Sequence, residues 1–220
     1  MMRCLANLGP GLAIRVASIA VWALSGGCAG RPARVEPPPI DAAEAGRRAI
    51  ALYDQNNDDA LSGEELAAVP SLKKALPRLD TNPSDEKITA NEIQALIARW
   101  QERRHAMLPV NCHVTLDGRP LPGAVVTLEP EPYLGDAIQP ATGTTNRLGN
   151  TGLSVAEQFR PDPTLLGVHC GLYKVRISKQ TNGQETLPAK YHENTILGAE
   201  VSMQASELAT GTLEFHLKSS

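Results

Sequence analysis

The hydrophobic pattern changes period along the chain, and those changes divide it. An apolar run over 16–24 follows Arg15, and 29–39 (AGRPARVEPPP) then has no apolar period and ends in three prolines. From Asp41, a candidate N-cap, the spacing becomes helical, with Ala42, Ala45, Ala49 and Leu52 on one face. A short helix over 64–69 stops near Pro70, and Ser71 caps the helix SLKKALPRL. A further helix over about 91–104 carries Ile93, Leu96, Ile97 and Trp100 at core spacing. From Pro109 the period falls to two: Cys112, Val114 and Leu116 alternate with His113 and Thr115, Asp117-Gly118 turns the chain, and Ala124, Val126 and Leu128 alternate again. Further strands are predicted over 141–145, 153–155, 172–178, 199–203 and 212–217, with turn signals at 146–150 and 182–183. Helices followed by strands predict an α+β chain.

Between the first two helices lies DQNNDDALSGEE, 54–65, which puts oxygen-bearing side chains at positions 1, 3, 5, 9 and 12. It resembles an EF-hand calcium loop. A hard cation takes six to eight oxygens, and the resemblance implies Asp54, Asn56, Asp58, the Ala60 carbonyl, Ser62 and a bidentate Glu65. Leu61, at position 8, would pack inward and pair with a partner loop. Position 6, where the sharp turn normally takes Gly, is Asp59, one of the few side chains that tolerate positive φ. A second loop, DTNPSDEKITANE, ends at Glu92 and is one residue too long, with Pro83 inside. Setting Ile88 against Leu61 puts Lys87 in the place of Ala60. Asp80, Asn82, Ser84 or Asp85, Thr89 and Glu92 supply oxygens, so it reads as a degenerate partner hand. The plain alternative is a pair of Asp/Asn-rich turns between helices, which need no acid at position 12.

Composition limits the function classes. The chain is 42% hydrophobic and only 4% aromatic, so its cores are aliphatic. Net charge is −3, with no basic stripe of the kind nucleic acid requires. Arg3, Arg15, the apolar run, and Ser25, Gly26 and Gly27 before Cys28 have the layout of a secretory signal. It resembles a bacterial lipoprotein signal whose lipobox cysteine is Cys28, although Leu24 stands four residues before the cysteine and Ser25 three before. The run is far short of the roughly twenty apolar residues that span a bilayer. Ordinary secretion and a retained anchor are the alternatives. Cleavage would remove two arginines and take the charge from −3 to −5. The expected organisation is a signal peptide over 1–27, a Pro-rich tether over 28–40, a small all-α EF-hand pair over 41–105, and a β-sandwich over 109–218.

The β region carries a second resemblance. VTLDGRPLPGAVVTLEP, GTTNRLGNTGLSV and GLYKVRIS look like the transthyretin-like or carboxypeptidase regulatory-like sandwich, a seven-stranded, immunoglobulin-like module matched over about 110–218. Its motifs are structural, with Tyr173 entering a late strand, so it implies a fold and no chemistry. A calcium-loop pair plus this module after a lipobox resembles bacterial envelope lipoproteins without an assigned activity. In an oxidising compartment Cys112 and Cys170 are candidates for a disulfide, closing a loop of about 59 residues at about 4 kcal/mol. Strand parity allows it only if Cys170 lies in the turn before a strand starting at Gly171. His113 and His169 beside these cysteines invite a zinc reading, but adjacent strand residues face opposite ways. His105, His192 and His216 have no spaced partners.

No nucleophile elbow, P-loop or HExxH helix occurs. The expectation is therefore a non-enzymatic, Ca²⁺-binding lipoprotein of the cell envelope, held to the membrane through lipidated Cys28. Its further partner is an unidentified envelope protein or polysaccharide. The alternative is an adhesion module in which the β region recognises the partner and calcium only stabilises, with Tyr133 and Tyr191 as candidate contact aromatics.

Overall fold

The computed structural model describes residues 36–80 and 85–220, apart from the Glu207 side chain. The expected signal peptide, Cys28, most of the tether, Asn82 and Ser84 lie outside the described residues.

Among the described residues four α-helices come first. α1 (Ala42–Tyr53) is capped by Asp41, whose side chain accepts the Glu44 N–H at 2.9 Å. β1 (Ala60–Leu61), α2 (Gly63–Ala67), α3 (Pro70–Leu79), β2 (Ile88–Thr89) and α4 (Ala90–Arg103) follow. In α4, Ile93, Leu96, Ile97 and Trp100 are buried as their spacing predicts. The buried face of α1 is rotated from the expected one. Gly46 and Ile50 join Ala45 and Ala49, while Leu52 is 56% exposed. Gly46 explains the rotation, since a Cβ there would lie 2.3 Å from the Ala90 carbonyl oxygen. The two helices meet backbone to backbone at that point. Ser71 is not a cap: α3 starts at Pro70, and Ser71 is fully buried inside its first turn.

The strands are β3 (Met107–Leu108), β4 (Val110–Leu116), β5 (Arg119–Pro120), β6 (Val125–Pro130), β7 (Ala141–Thr144), β8 (Asn150–Val155), β9 (Val168–His169), β10 (Gly171–Ser178), β11 (Gln180–Thr181), β12 (Gln184–Glu185), β13 (Gly198–Val201) and β14 (Thr212–Leu217). Among the described residues, β13-β10-β6-β7-β8-β4-β14, with β5 paired to β4, form one eight-stranded sheet. Its neighbours are antiparallel except β14, which runs parallel to β4.

The expected fold class is overturned by this topology. In place of an all-α EF-hand pair beside an immunoglobulin-like sandwich of two sheets, the described residues form an eight-stranded half-barrel sheet with four short α-helices. The strand that decides it is β7. Ala141 pairs with Leu128 of β6 on one side and with Val155 of β8 on the other, joining what a sandwich would hold as separate sheets. The helices are not a separate layer with their own core either. One buried cluster runs from Ala45 through Trp100 to Leu217, and all described residues belong to one compact unit.

Helix α3 packs on β13 and β10. Strands covered on both faces lose the in/out alternation, and that is observed. Leu172 and Tyr173, of opposite parity, are both fully buried, as are Ala199, Glu200 and Val201. The approach is close: a Cβ on Gly198 would sit 2.3 Å from the backbone of Pro70 and Ser71. Two buried acids join the layers. Glu131 accepts hydrogen bonds from Ser71 Oγ (2.6 Å) and Tyr53 Oη (3.1 Å). Glu200 pairs with Arg78 and accepts from Ser202 Oγ at 2.5 Å.

Candidate metal centre

The first loop is folded by its own acids. Asp54 Oδ1 accepts the Asn57 N–H at 2.7 Å and Oδ2 the Asp59 N–H at 3.0 Å, curling five residues around one carboxylate. Asn56 Oδ1 accepts from Asp58 N (2.8 Å), and Asp58 Oδ1 from Ala60 N (3.1 Å). This winding requires positive φ at Asn57 (60°) and Asp59 (62°), positions that Asn and Asp fill with little strain. Glu65 reaches back into the loop. Its Oε1 accepts the Gln55 and Asn56 N–H groups at 2.9 and 3.2 Å, and Oε2 accepts the Ser62 N–H at 3.1 Å. The amides of Gln55 and Ser62 hold this carboxyl below its ordinary value, so it is ionised at neutral pH.

β1 and β2 tie the two loops together, pairing Ala60 with Thr89 and Leu61 with Ile88. Both position-8 side chains, Leu61 and Ile88, are fully buried. In the second loop Asp80 Oδ2 accepts the Glu86 N–H at 3.1 Å, and Asp80 Oδ1 is buried with no hydrogen-bond partner among the described residues. Asp85 Oδ1 accepts the Lys87 N–H at 3.0 Å, and Glu92 Oε2 accepts from Thr89 N (2.8 Å) and Thr89 Oγ1 (3.0 Å), capping α4. The Lys87 side chain reaches across to the first loop. Its Nζ lies 2.9 Å from Asp58 Oδ2 of the first loop and holds the Asp58 carboxyl below its ordinary value.

Whether these residues suit a divalent cation is decided by chemistry and by one occupant. Every candidate donor in the first loop is an oxygen, the set a hard cation such as Ca²⁺ selects over thiolate and imidazole metals. A cationic group, the Lys87 ammonium, already rests on one of them. The donor types, though not yet their convergence, are those a hard cation takes. The carboxylates are spread over backbone amides, and among the described residues no three Asp, Glu, His or Cys side chains gather on one point. A cleft of about 350 Å³, lined by Arg47, Ile50, Asp54, Asn57 and Asp59 among others, opens beside the loop.

The other sequence candidates separate. Cys112 and Cys170 are free, buried thiols and not a disulfide. Gly171 does start β10, leaving Cys170 before it as a bond would need, but β6, β7 and β8 lie between β10 and β4 in the sheet. Cys170 Sγ instead faces the His105 carbonyl at 3.4 Å. Burial pushes the Cys112 thiol up to about 12 and the Cys170 thiol up to about 11. His113 Nδ1 contacts Asn150 Oδ1 at 2.6 Å, while His169 is buried in β9, so the two histidines have different surroundings. Tyr133 and Tyr191, expected as exposed contact aromatics, are 1% and 5% exposed. Glu131 and Glu200 are not among the sequence candidates. Glu200 had a local signal, an acid inside the apolar strand GAEV. Glu131, between Pro130 and Pro132, reads as an ordinary loop acid.

Comparison with known proteins returned no matching family model, no similar curated protein and no similar solved structure.

Proposed function

We propose that the chain is a calcium-binding, non-enzymatic lipoprotein of the cell envelope, in which an ion in the first loop braces the helices against the sheet. Asp54, Asn56, Asp58, the Ala60 carbonyl, Ser62 and Glu65 would hold the ion, whose charge would draw the three carboxylates together. The observation that carries this reading is the loop itself: three acids wound over 54–65 by their own backbone amides, pinned at Leu61 to a partner loop, with a cation already on Asp58. The bracing role is supported by chain continuity. Tyr53, which bonds Glu131 beneath the sheet, is the residue immediately before Asp54.

The second loop is proposed as the partner that fixes the first. Anchoring rests on the lipobox-like sequence ending at Cys28, and an envelope protein or polysaccharide remains the proposed further partner. Partner recognition through surface aromatics has less support, because Tyr133 and Tyr191 are spent on the core.

Titration calorimetry of the full chain with CaCl₂ tests the reading. One site of about 10⁻⁴ to 10⁻³ M is expected, as for extracellular modules, and is lost in Asp54→Asn and Glu65→Gln. Absence of any calcium heat in the wild-type chain would sink it. Anchoring is tested separately: labelled palmitate should enter the wild-type chain in a lipoprotein-processing bacterium and not Cys28→Ser.

A further inference from the structure

The β-bridge that sets Ile88 opposite Leu61 brings Lys87 beside the first loop, 29 residues away in sequence from the acid it meets. Its ammonium lies 2.9 Å from Asp58 Oδ2, while Asp58 Oδ1 is taken by the Ala60 amide. Neither oxygen of this acid is then without a donor. The acid that Lys87 bonds, Asp58, is among the residues proposed to hold the ion. An ammonium has only donors, so it cannot share a ligand set with a metal ion. It can only replace one charge or be repelled by it.

We propose that Lys87 is a built-in competitor of the divalent cation, holding Asp58 in the ion-free loop and releasing it when the ion binds. This rests on the calcium reading above and specifies how that site is tuned. The second loop acts on the first by lending it a cation. It stabilises the ion-free fold of the pair and weakens calcium binding, which suits a compartment where calcium is abundant and only a weak site is needed.

The test is calorimetric titration of CaCl₂ into the full chain and into Lys87→Gln and Lys87→Arg, with thermal melts in chelator. Removing one positive charge a few ångströms from a divalent ion should tighten binding about tenfold in Lys87→Gln. The same variant should melt below wild type in chelator. Lys87→Arg keeps the charge and should stay within about threefold of wild type. If Lys87→Gln binds calcium as wild type does, or more weakly, the competitor role is overturned and the calcium reading stands. A tenfold gain in Lys87→Arg also overturns it. If neither wild type nor Lys87→Gln binds calcium, the calcium reading itself fails and this proposal with it.

Discussion

The Tyr53 hydroxyl donates to the Glu131 carboxylate across 3.1 Å, joining the last residue of the first helix to a turn of the sheet 78 residues later. Ser71 Oγ donates to the same carboxylate at 2.6 Å from the start of α3. Glu131 is thus the point where two helices and the sheet meet, and it has no exposed surface. The fold depends on this acid being satisfied, and its charge is a cost.

Burial raises the Glu131 carboxyl above its ordinary value, against the lowering effect of Ser71, Lys174 and Tyr53. A raised carboxyl binds its proton more tightly in the folded chain than in the unfolded one. Its contribution to stability is therefore greatest at low pH, and declines as pH rises from the ordinary glutamate range through the raised folded value. Glu131→Gln keeps an acceptor for Ser71 and removes the buried charge. We expect it to be at least as stable as wild type at neutral pH, and to lose this part of the pH dependence in urea melts taken from pH 4 to 8. Glu131→Ala leaves two hydroxyls without their acceptor and should cost about 2 kcal/mol or more. A Glu131→Gln protein as unstable as Glu131→Ala would show that the charge itself holds the joint.

Gly46 gives a prediction in which propensity and packing disagree. Alanine in a helix interior is better than glycine by about 1 kcal/mol. At this position its Cβ would meet the Ala90 carbonyl oxygen at 2.3 Å, and that atom is backbone at the start of α4. Backbone cannot yield as a side chain does, so the clash should win, and Gly46→Ala should lose about 1–3 kcal/mol in chemical denaturation. A stabilised Gly46→Ala would mean that the two helices are further apart.

These two residues also show what the sequence could disclose. Local periodicity is a property of neighbours, so the α4 core face and the oxygen spacing of the first loop were legible residue by residue. The rotation of α1 was not, because it depends on how near Ala90 comes to Gly46. The parting between one sheet and two was equally non-local. Nothing in 141–144 says that β7 pairs on both sides, and a resemblance built on turn glycines and strand spacing suits either outcome. One sequence signal points to the double cover: Leu172 shares the parity of Lys174 and Arg176 yet is apolar, as a strand covered on both faces requires. In the candidate site the spacing of the side-chain oxygens is readable in the sequence. The charge on Lys87 was readable too, but its contact with Asp58 depends on the pairing of β1 with β2.

The cysteines should behave as two separate, inert thiols. Both are buried, with their ionisation pushed up to about 12 and about 11, so the reactive thiolate is scarce at neutral pH. A fragment beginning after Cys28 should show no mass change on reduction and no shift of its melting temperature with reductant. It should react with a disulfide reagent at two thiols only once unfolded in guanidinium. A two-dalton mass gain on reduction of the native fragment would establish a bond and would require β4 and β10 to approach each other.

The last prediction concerns calcium and heat. An ion that binds the folded chain and not the unfolded one stabilises it by RT ln(1 + [L]/Kd). With a site of about 10⁻³ M, as for weak extracellular modules, about 10 mM calcium gives about 1.4 kcal/mol, or a rise of about 3–6 °C for a chain of this size. Magnesium should give less, because it demands near-octahedral geometry and releases water reluctantly. Asp54→Asn removes one of three ligand carboxylates while keeping an oxygen that accepts the Asn57 amide. The Asp59 amide then loses its acceptor, so this variant should melt somewhat below wild type in chelator and show little rise with calcium. Tyr53→Phe tests the link to the sheet: it should lower the melting temperature with and without calcium, at a cost of about 1 kcal/mol for the lost hydrogen bond to Glu131. If calcium raises Asp54→Asn as much as wild type, the ion does not sit in the first loop.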